Sequence, residues 1–249
     1  MTSRVNSRGG RWLPLPEKPW PERRRIHVVA VSMPQAFDAH ASDWAALTPA
    51  EAARARRFRF DIHRRRWLFG RLTLKQLLAR YLACPMQALT LGFGEIGKPH
   101  VAQPAEPGIR FNYTDSNGHL LYVFSADTEV GVDLEFLPRK TDYEKLAPRK
   151  LTPPEMDALW QLPESERELG FLAAWTRKEA YGKALGVGIR YPMGEVTLVE
   201  DFAVSDYVTQ TAEGQPVCLA QIDPPYAGIA CIAAFAENIE LDVYLLTTE

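Results

Sequence analysis

One five-residue string occurs twice in this chain with a single change, Ala50 against Pro154. Leu47-Thr-Pro-Ala-Glu51 returns as Leu151-Thr-Pro-Pro-Glu155, an offset of 104 residues. Each copy reads as a helix start: Thr48 or Thr152 at the N-cap, proline in the first turn, and glutamate three residues on to close a capping box. Capping boxes are common, so a single copy would constrain little. The context repeats as well. An apolar strand, Ile26 to Val31, precedes the first copy, and Val130 to Phe136 precedes the second at the same offset. A long helical stretch follows each, Arg65 to Tyr81 and Leu169 to Leu185. Two related halves are the inference; chance matching of short strings is the alternative.

The remaining segments read mostly as strands. Ile109 to Thr114 and His119 to Ser125 flank Asp115-Ser-Asn-Gly118, and Asn-Gly between alternating apolar residues signals a hairpin. Further strands are expected near Glu195 to Glu200, Val204 to Thr211, Pro216 to Ile222, Gly228 to Ala236 and Leu241 to Leu246. Strands mix with helices and hairpins rather than alternating strictly with helices, so the expected class is α+β, built from two similar α/β halves. The expected organisation is residues 1–25 as a mobile or surface-draped lead-in, 26–125 as the N-terminal half and 126–249 as the C-terminal half. The lead-in is rich in Arg, Pro and Gly and lacks the apolar segment of a secretory signal.

Composition excludes several classes. The 249 residues are 46% hydrophobic, which is enough for a sizeable core. A net charge of -2 gives no global pull toward nucleic acid or membrane, and no apolar run approaches the roughly 20 residues of a membrane helix. Cys84, Cys218 and Cys231 show neither metal spacing nor an even disulfide set, which suits a cytoplasmic setting.

The chemistry concentrates in two segments. In Gly131-Val-Asp-Leu-Glu135, Asp133 and Glu135 are two apart in an apolar strand and point to one face. Two such carboxylates repel when buried, and a divalent cation removes that cost; hard oxygen ligands suit Mg²⁺ with a substrate phosphate. An edge strand with one solvated face is the bland alternative. At the repeat offset the acids correspond to Val29 and Val31, so the repeat unit itself does not demand them. The second segment is a helix, expected to start at a Ser165/Glu168 capping box and to stop at Gly186. Phe171, Trp175, Glu179 and Lys183 succeed one another at i+4 as a single stripe, aromatic first and then charged. An ordinary surface Glu–Lys pair is the alternative for its last members. Three carboxylates and a lysine suit transfer from a pyrophosphate.

Gly92-Phe-Gly-Glu-Ile-Gly-Lys98 imitates a P-loop, but Pro99 stands where the hydroxyl that binds Mg²⁺ is needed, and no helix is expected to follow. No zinc or hydrolase motif occurs. Residues 51–71 carry eight arginines against two acids. They read as a solvated helix face, or as a site for phosphates or an acidic protein; nucleic acid finds no supporting basic extension.

At these residues the chain resembles the Sfp-type 4'-phosphopantetheinyl transferases, whose paired signatures are G-[IV]-D-[IL]-E and W-[ST]-x-K-E-[AS]-x-x-K. Here they are Gly131 to Glu135 and Trp175 to Lys183, in order and about 40 residues apart. Weaker matches run from about Arg54 to Glu200. The resemblance implies two similar α+β halves with one site between them, and transfer of phosphopantetheine from coenzyme A to an apo acyl or peptidyl carrier protein. It implies that Asp133, Glu135 and Glu179 hold Mg²⁺, that Glu179 is the general base, that Lys183 steadies the pyrophosphate, and that Lys178 has an electrostatic catalytic role. Lys98, Pro99 and Thr114 match segments that meet coenzyme A, and the run around Arg64 and Arg65 matches the region meeting its 3'-phosphate. The family histidine of F-N-x-S-H-S is replaced here by Asp115, an acid where a phosphate is expected. A monomer with an internal pseudo-dimer is expected. A weak relative that binds carrier or coenzyme without turnover is the alternative. Fatty acid, polyketide and peptide synthesis stay equally open as the pathway served.

Overall fold

Both repeated strings cap helices. Glu51 Oε2 accepts from the Thr48 N–H at 2.9 Å, and Glu155 Oε2 from the Thr152 N–H at 2.8 Å. The structure, a computed structural model, describes residues 6–7, 12–105, 107–138, 141–188, 192–199, 202, 206–210 and 214–247. Its elements in chain order begin with β1 (Asn6–Ser7), β2 (Leu13–Pro14), β3 (Arg25–Ser32), α1 (Ala41–Ala45), α2 (Pro49–Arg56) and α3 (Asp61–Tyr81). Then come β4 (Thr90–Phe93), β5 (Pro99–Gln103), β6 (Arg110–Ser116), β7 (His119–Ser125) and β8 (Val130–Phe136). The remainder is α4 (Tyr143–Lys150), α5 (Pro153–Gln161), α6 (Glu164–Leu185), β9 (Asp206–Gln210), β10 (Pro216–Ile222), β11 (Gly228–Ala234) and β12 (Glu240–Leu245).

The repeat extends to topology. β3 pairs antiparallel with β7, and β7 with β6; β8 pairs antiparallel with β11, and β11 with β10. The long helices α3 and α6 fall at the same point of each unit. The sheet orders are β1-β12-β3-β7-β6 and β8-β11-β10-β9, with β4-β5 as a separate hairpin. The last strand breaks the symmetry: β12 lies parallel to β3, so the chain's end completes the first sheet.

The strands are nearly continuous apolar runs because both of their faces are covered. Ile26, Val28 and Ala30 of β3 meet Val130, Val132 and Leu134 of β8, with Ala230 and Ile232 of β11, in a core between the two sheets. On its other face β3 sets Val29 and Val31 against Leu74, Leu77 and Leu78 of α3. In the second half Ala180, Tyr181 and Ala184 of α6 cover Val217, Leu219, Cys231 and Ala233. The order is helix, sheet, sheet, helix.

Several expectations need correction. Residues 196–199 form no strand; the Leu198 and Val199 N–H groups go instead to Glu155 Oε1, at 2.7 and 3.2 Å. Helix α6 starts at an N-cap of Pro163 rather than at a Ser165/Glu168 box, and Glu168 reaches the Thr141 N–H instead. Gly186 does end α6, at a φ of 79° that favours glycine. In the lead-in, residues 1–5 and 8–11 lie outside the described residues. From Trp12 onward it is anchored: Leu13–Pro14 pairs with β12, and Arg80 donates to the Leu15 and Pro16 carbonyls. No described helix is long and apolar enough to cross a membrane.

Candidate active site

The two sheets meet edge to edge at β6 and β8. β8 pairs with β11 on one side only, so its other side needs partners for its backbone. Side chains of β6 provide them. Val132 N–H donates to Asn112 Oδ1 at 3.3 Å and Phe136 N–H to Ser116 Oγ at 3.0 Å. Thr114, between them in the same period-2 row, donates to Asp133 Oδ1 at 3.2 Å. Thr114 was expected from sequence, but Asn112 and Ser116 were missed; the polar alternation along β6 is the signal that could have found them.

Helix α6 closes the other wall. Gly131 permits this, because a Cβ there would lie 2.1 Å from the Ala180 carbonyl oxygen. Asp133 and Glu135 therefore lie beneath α6, only 7% and 6% exposed. The solvated edge-strand alternative fails on this burial. Lys183 reaches down from α6, its Nζ 2.7 Å from Asp133 Oδ1, 3.0 Å from the Val132 carbonyl and 3.2 Å from Thr114 Oγ1. Asp133 Oδ2 is buried without a hydrogen-bond partner. One turn back, burial raises the Glu179 carboxyl above its ordinary value, and the Asp133 charge adds to the rise; Lys183 and Lys150 oppose it, with Glu135 a smaller raising contribution.

The charges of Asp133 and Glu135 are thus both felt at Glu179, in the cleft between β6, β8 and α6. Among the described residues, however, no three His, Cys, Asp or Glu side chains stand close enough to clasp a metal ion. A lysine occupies the position next to Asp133 that a cation would take. The donor set still suits a hard cation: an orphaned buried carboxylate oxygen, and a neighbouring carboxyl whose ionisation Asp133 opposes.

Lys178 requires a correction. It is fully buried on another face of α6, 2.7 Å from the equally buried Glu155, and donates to the Met193 and Val196 carbonyls. All three of its donors are engaged away from the cleft. The first half has a counterpart: buried Lys75, 3.6 Å from Glu51 and donating to the Ala46 carbonyl. A buried lysine facing the capping-box glutamate belongs to the repeat unit.

A cavity of about 360 Å³ adjoins the cleft, lined by Ile96, Gly97, Lys98, Pro99, Thr114, Asp115, Lys183 and neighbours. It brings together five of the residues that the sequence assigned to the coenzyme. The Lys98 ammonium is engaged, with Glu129 at 2.6 Å and the Ala184 and Val130 carbonyls behind it. Burial lowers its proton affinity against the pull of Glu129. Asp115 Oδ1 accepts from the Gly118 N–H at 2.8 Å, closing the hairpin turn. Desolvation raises its carboxyl, opposed by that N–H, Arg66 and His119.

Arg64 and Arg65 lie outside this region. Arg64 pairs with exposed Asp61, and Arg65 donates to the Phe37 and Gln35 carbonyls. Arg66 and Arg71 instead line a second cavity of about 360 Å³, which shares Tyr113 and Asp115 with the first. Arg71 is buried, with Nε 3.6 Å from Glu51 and Nη1 lacking any hydrogen-bond partner.

Residues 129–231 match the model of the 4'-phosphopantetheinyl transferase superfamily, and residues 35–128 match that of a 4'-phosphopantetheinyl transferase N-terminal region. The chain is 36% identical over 180 residues to the 4'-phosphopantetheinyl transferase HetI of Nostoc sp. strain PCC 7120, covering 72% of this chain and 76% of that one. It is 30% identical over 196 residues to the 4'-phosphopantetheinyl transferase psf-1 of Bacillus pumilus, covering 76% and 81%. A holo-(acyl-carrier-protein) synthase from Bacillus anthracis superposes on 43% of this chain with TM-score 0.31 and 22% identity, too slight a likeness to add to the argument. Two matched regions in tandem, and relatives aligned over about three quarters of their length at this identity, establish that the chain belongs to the 4'-phosphopantetheinyl transferase superfamily.

Proposed function

We propose that this chain transfers 4'-phosphopantetheine from coenzyme A to a serine of an apo acyl or peptidyl carrier protein, in a Mg²⁺-dependent reaction that releases 3',5'-ADP. One observation carries the reading: Lys98, Pro99, Thr114 and Lys183 line a single cavity that opens beside Asp133, the residue whose charge perturbs Glu179. The serine oxygen forms a bond to the phosphorus bearing pantetheine, and the bond from that phosphorus to the oxygen of the departing 3',5'-ADP breaks. Asp133, Glu135 and Glu179 would hold the cation. When bound, Mg²⁺ supplies positive charge to the pyrophosphate oxygens.

The chain's own groups do the rest. Glu179, its carboxyl raised by burial and by Asp133 in the absence of a cation, is the general base that takes the serine proton. Lys183 donates to the pyrophosphate and to the charge that develops on the leaving group. Arg66 and Arg71 take the 3'-phosphate, in place of Arg64 and Arg65. Asp115 Oδ1 holds its own hairpin turn, which gives this acid a structural role beside the cavity. The protein works as a monomer whose two halves supply the two walls of the cleft. The odd number of cysteines, at spacings that suit no metal, is in keeping with a reducing cytoplasm.

The direct test mixes the chain with apo carrier protein, coenzyme A and Mg²⁺, and weighs the carrier. A mass gain of one phosphopantetheine is expected, abolished by a chelator. Asp133→Asn in a folded protein is expected to lower turnover on the order of 100-fold, as loss of an electrostatic catalytic group commonly does; near-native turnover would remove Asp133 from the site.

A second expectation concerns the arginines. Arg66→Glu should raise the KM for coenzyme A about tenfold or more, since a hydrogen bond to a charged group contributes roughly 1.5–3 kcal/mol. The 3'-dephospho form should be affected far less. Equal effects on both coenzymes would place the 3'-phosphate elsewhere.

A further inference from the structure

We infer that Lys183 is a resident counter-ion that competes with a divalent cation for Asp133, and so makes cation binding depend on coenzyme A. The inference rests on the carboxylate cleft proposed above and goes beyond it, because it assigns Lys183 two alternating partners.

The geometry is specific. Lys183 Nζ sits 2.7 Å from Asp133 Oδ1, the same oxygen that accepts from Thr114, while Oδ2 is left orphaned in the interior. A lysine fixed there as a structural pair would be expected to be buried, like Lys178 with Glu155. Lys183 is not: its side chain is 23% exposed and lines the cavity assigned to coenzyme A. Its ammonium leaves Asp133 at least cost when another anionic acceptor in that cavity replaces the carboxylate. A pyrophosphate is such an acceptor, with several anionic oxygens within reach of a flexible four-carbon stem.

The consequence is a coupling. In the ligand-free protein a cation approaching Asp133 meets an ammonium already bound to Oδ1, and like charges this close repel strongly in a partly buried cleft. Once pyrophosphate draws Lys183 away, Asp133 presents both oxygens. Cation and coenzyme therefore bind more tightly together than either does alone, and by linkage the enhancement is reciprocal. In the ligand-free protein Asp133 is neutralised in place by Lys183, and among the described residues no three carboxylates form a clasp.

The test is a Mn²⁺ titration of the full chain, read by the electron paramagnetic resonance signal of free Mn²⁺, without and with saturating coenzyme A and corrected for Mn²⁺ held by the coenzyme itself. Wild type is expected to bind Mn²⁺ weakly alone and about tenfold or more tightly with coenzyme A. Lys183→Met is expected to bind Mn²⁺ about tenfold more tightly than wild type without coenzyme, and to lose most of the enhancement. Lys183→Arg, which keeps the charge, should resemble wild type. If the methionine variant does not fold by circular dichroism, Lys183→Gln asks the same question with a neutral hydrogen-bond donor. Unchanged or weaker coenzyme-free binding in the neutral variant overturns the inference alone, provided wild type binds Mn²⁺ with coenzyme A. No Mn²⁺ bound by wild type even with coenzyme A overturns the carboxylate reading and this inference together.

Discussion

Lys178→Met is expected to destabilise the fold by roughly 3–5 kcal/mol while leaving the turnover of folded molecules close to wild type. The ammonium is wholly enclosed and bonds Glu155 together with two backbone carbonyls of the segment from Met193 to Val196. Removing it strands a buried carboxylate. Three backbone N–H groups, of Thr152, Leu198 and Val199, still face that carboxylate and soften the loss, which favours the lower end of the range. The double variant Lys178→Met with Glu155→Gln should lose less than the sum of the two single changes, because neither partner is then left charged and alone. Denaturant unfolding measures the stabilities, and carrier modification at low temperature, where the variant stays folded, measures turnover. A Lys178→Met protein of native stability whose turnover has fallen by two orders of magnitude would return this lysine to the chemistry.

That reassignment shows where the sequence was informative. The stripe Phe171, Trp175, Glu179, Lys183 was legible from spacing alone, because helical periodicity fixes which residues share a face. Lys178 sits one position, about 100°, off that stripe. It entered the expected site through resemblance to a motif, and a motif records which residues recur without recording which way they point. Its partner was disguised, since Glu155 already had a complete local explanation as a capping-box residue. A carboxylate has two oxygens and several lone pairs, so satisfying one local bond left room for three distant ones. The arginine run was ambiguous for a related reason. Arg64, Arg65 and Arg66 are consecutive, and only the packing of α3 against the first sheet decides which of them turns toward Tyr113 and Asp115. By contrast, the comparison of Asp133 and Glu135 with Val29 and Val31 used the chain as its own control. The equivalent faces carry apolar residues against α3 and acids against α6. The strand expected at Glu195 to Glu200 was lost to Glu155, whose carboxylate takes the N–H groups a sheet neighbour would otherwise have used.

Glu179→Gln is expected to lower turnover by about a thousandfold, within the 10²–10⁴ range typical of a lost general base, and at the same time to raise thermal stability at neutral pH. The two effects share one cause. Burial raises this carboxyl above its ordinary value and Asp133 adds to the rise, so ionising Glu179 works against the native state. Because the folded value lies above the unfolded value of about 4.3, both states are protonated below that pH and the carboxyl costs little more than an amide. As pH rises from the unfolded value through the folded one, the unfolded chain ionises more readily than the native protein, and wild type loses stability relative to the glutamine variant. Above the folded value the gap is constant. Lys183 and Lys150 pull the other way, and the group is partly open to solvent, so the gap in Tm is small and shrinks with added salt. Thermal scans of both proteins at pH 4 and pH 7.5 check it: nearly equal Tm at the lower pH and a higher Tm for the variant at the upper. Adding Mg²⁺ and coenzyme A should reverse the order at pH 7.5, since a ligand that binds the intact cleft more tightly stabilises that protein more. A variant less stable than wild type at pH 7.5 without ligands would mean that Glu179 is held by favourable partners rather than strained against Asp133. A variant that keeps its turnover would remove Glu179 as the acceptor of the serine proton.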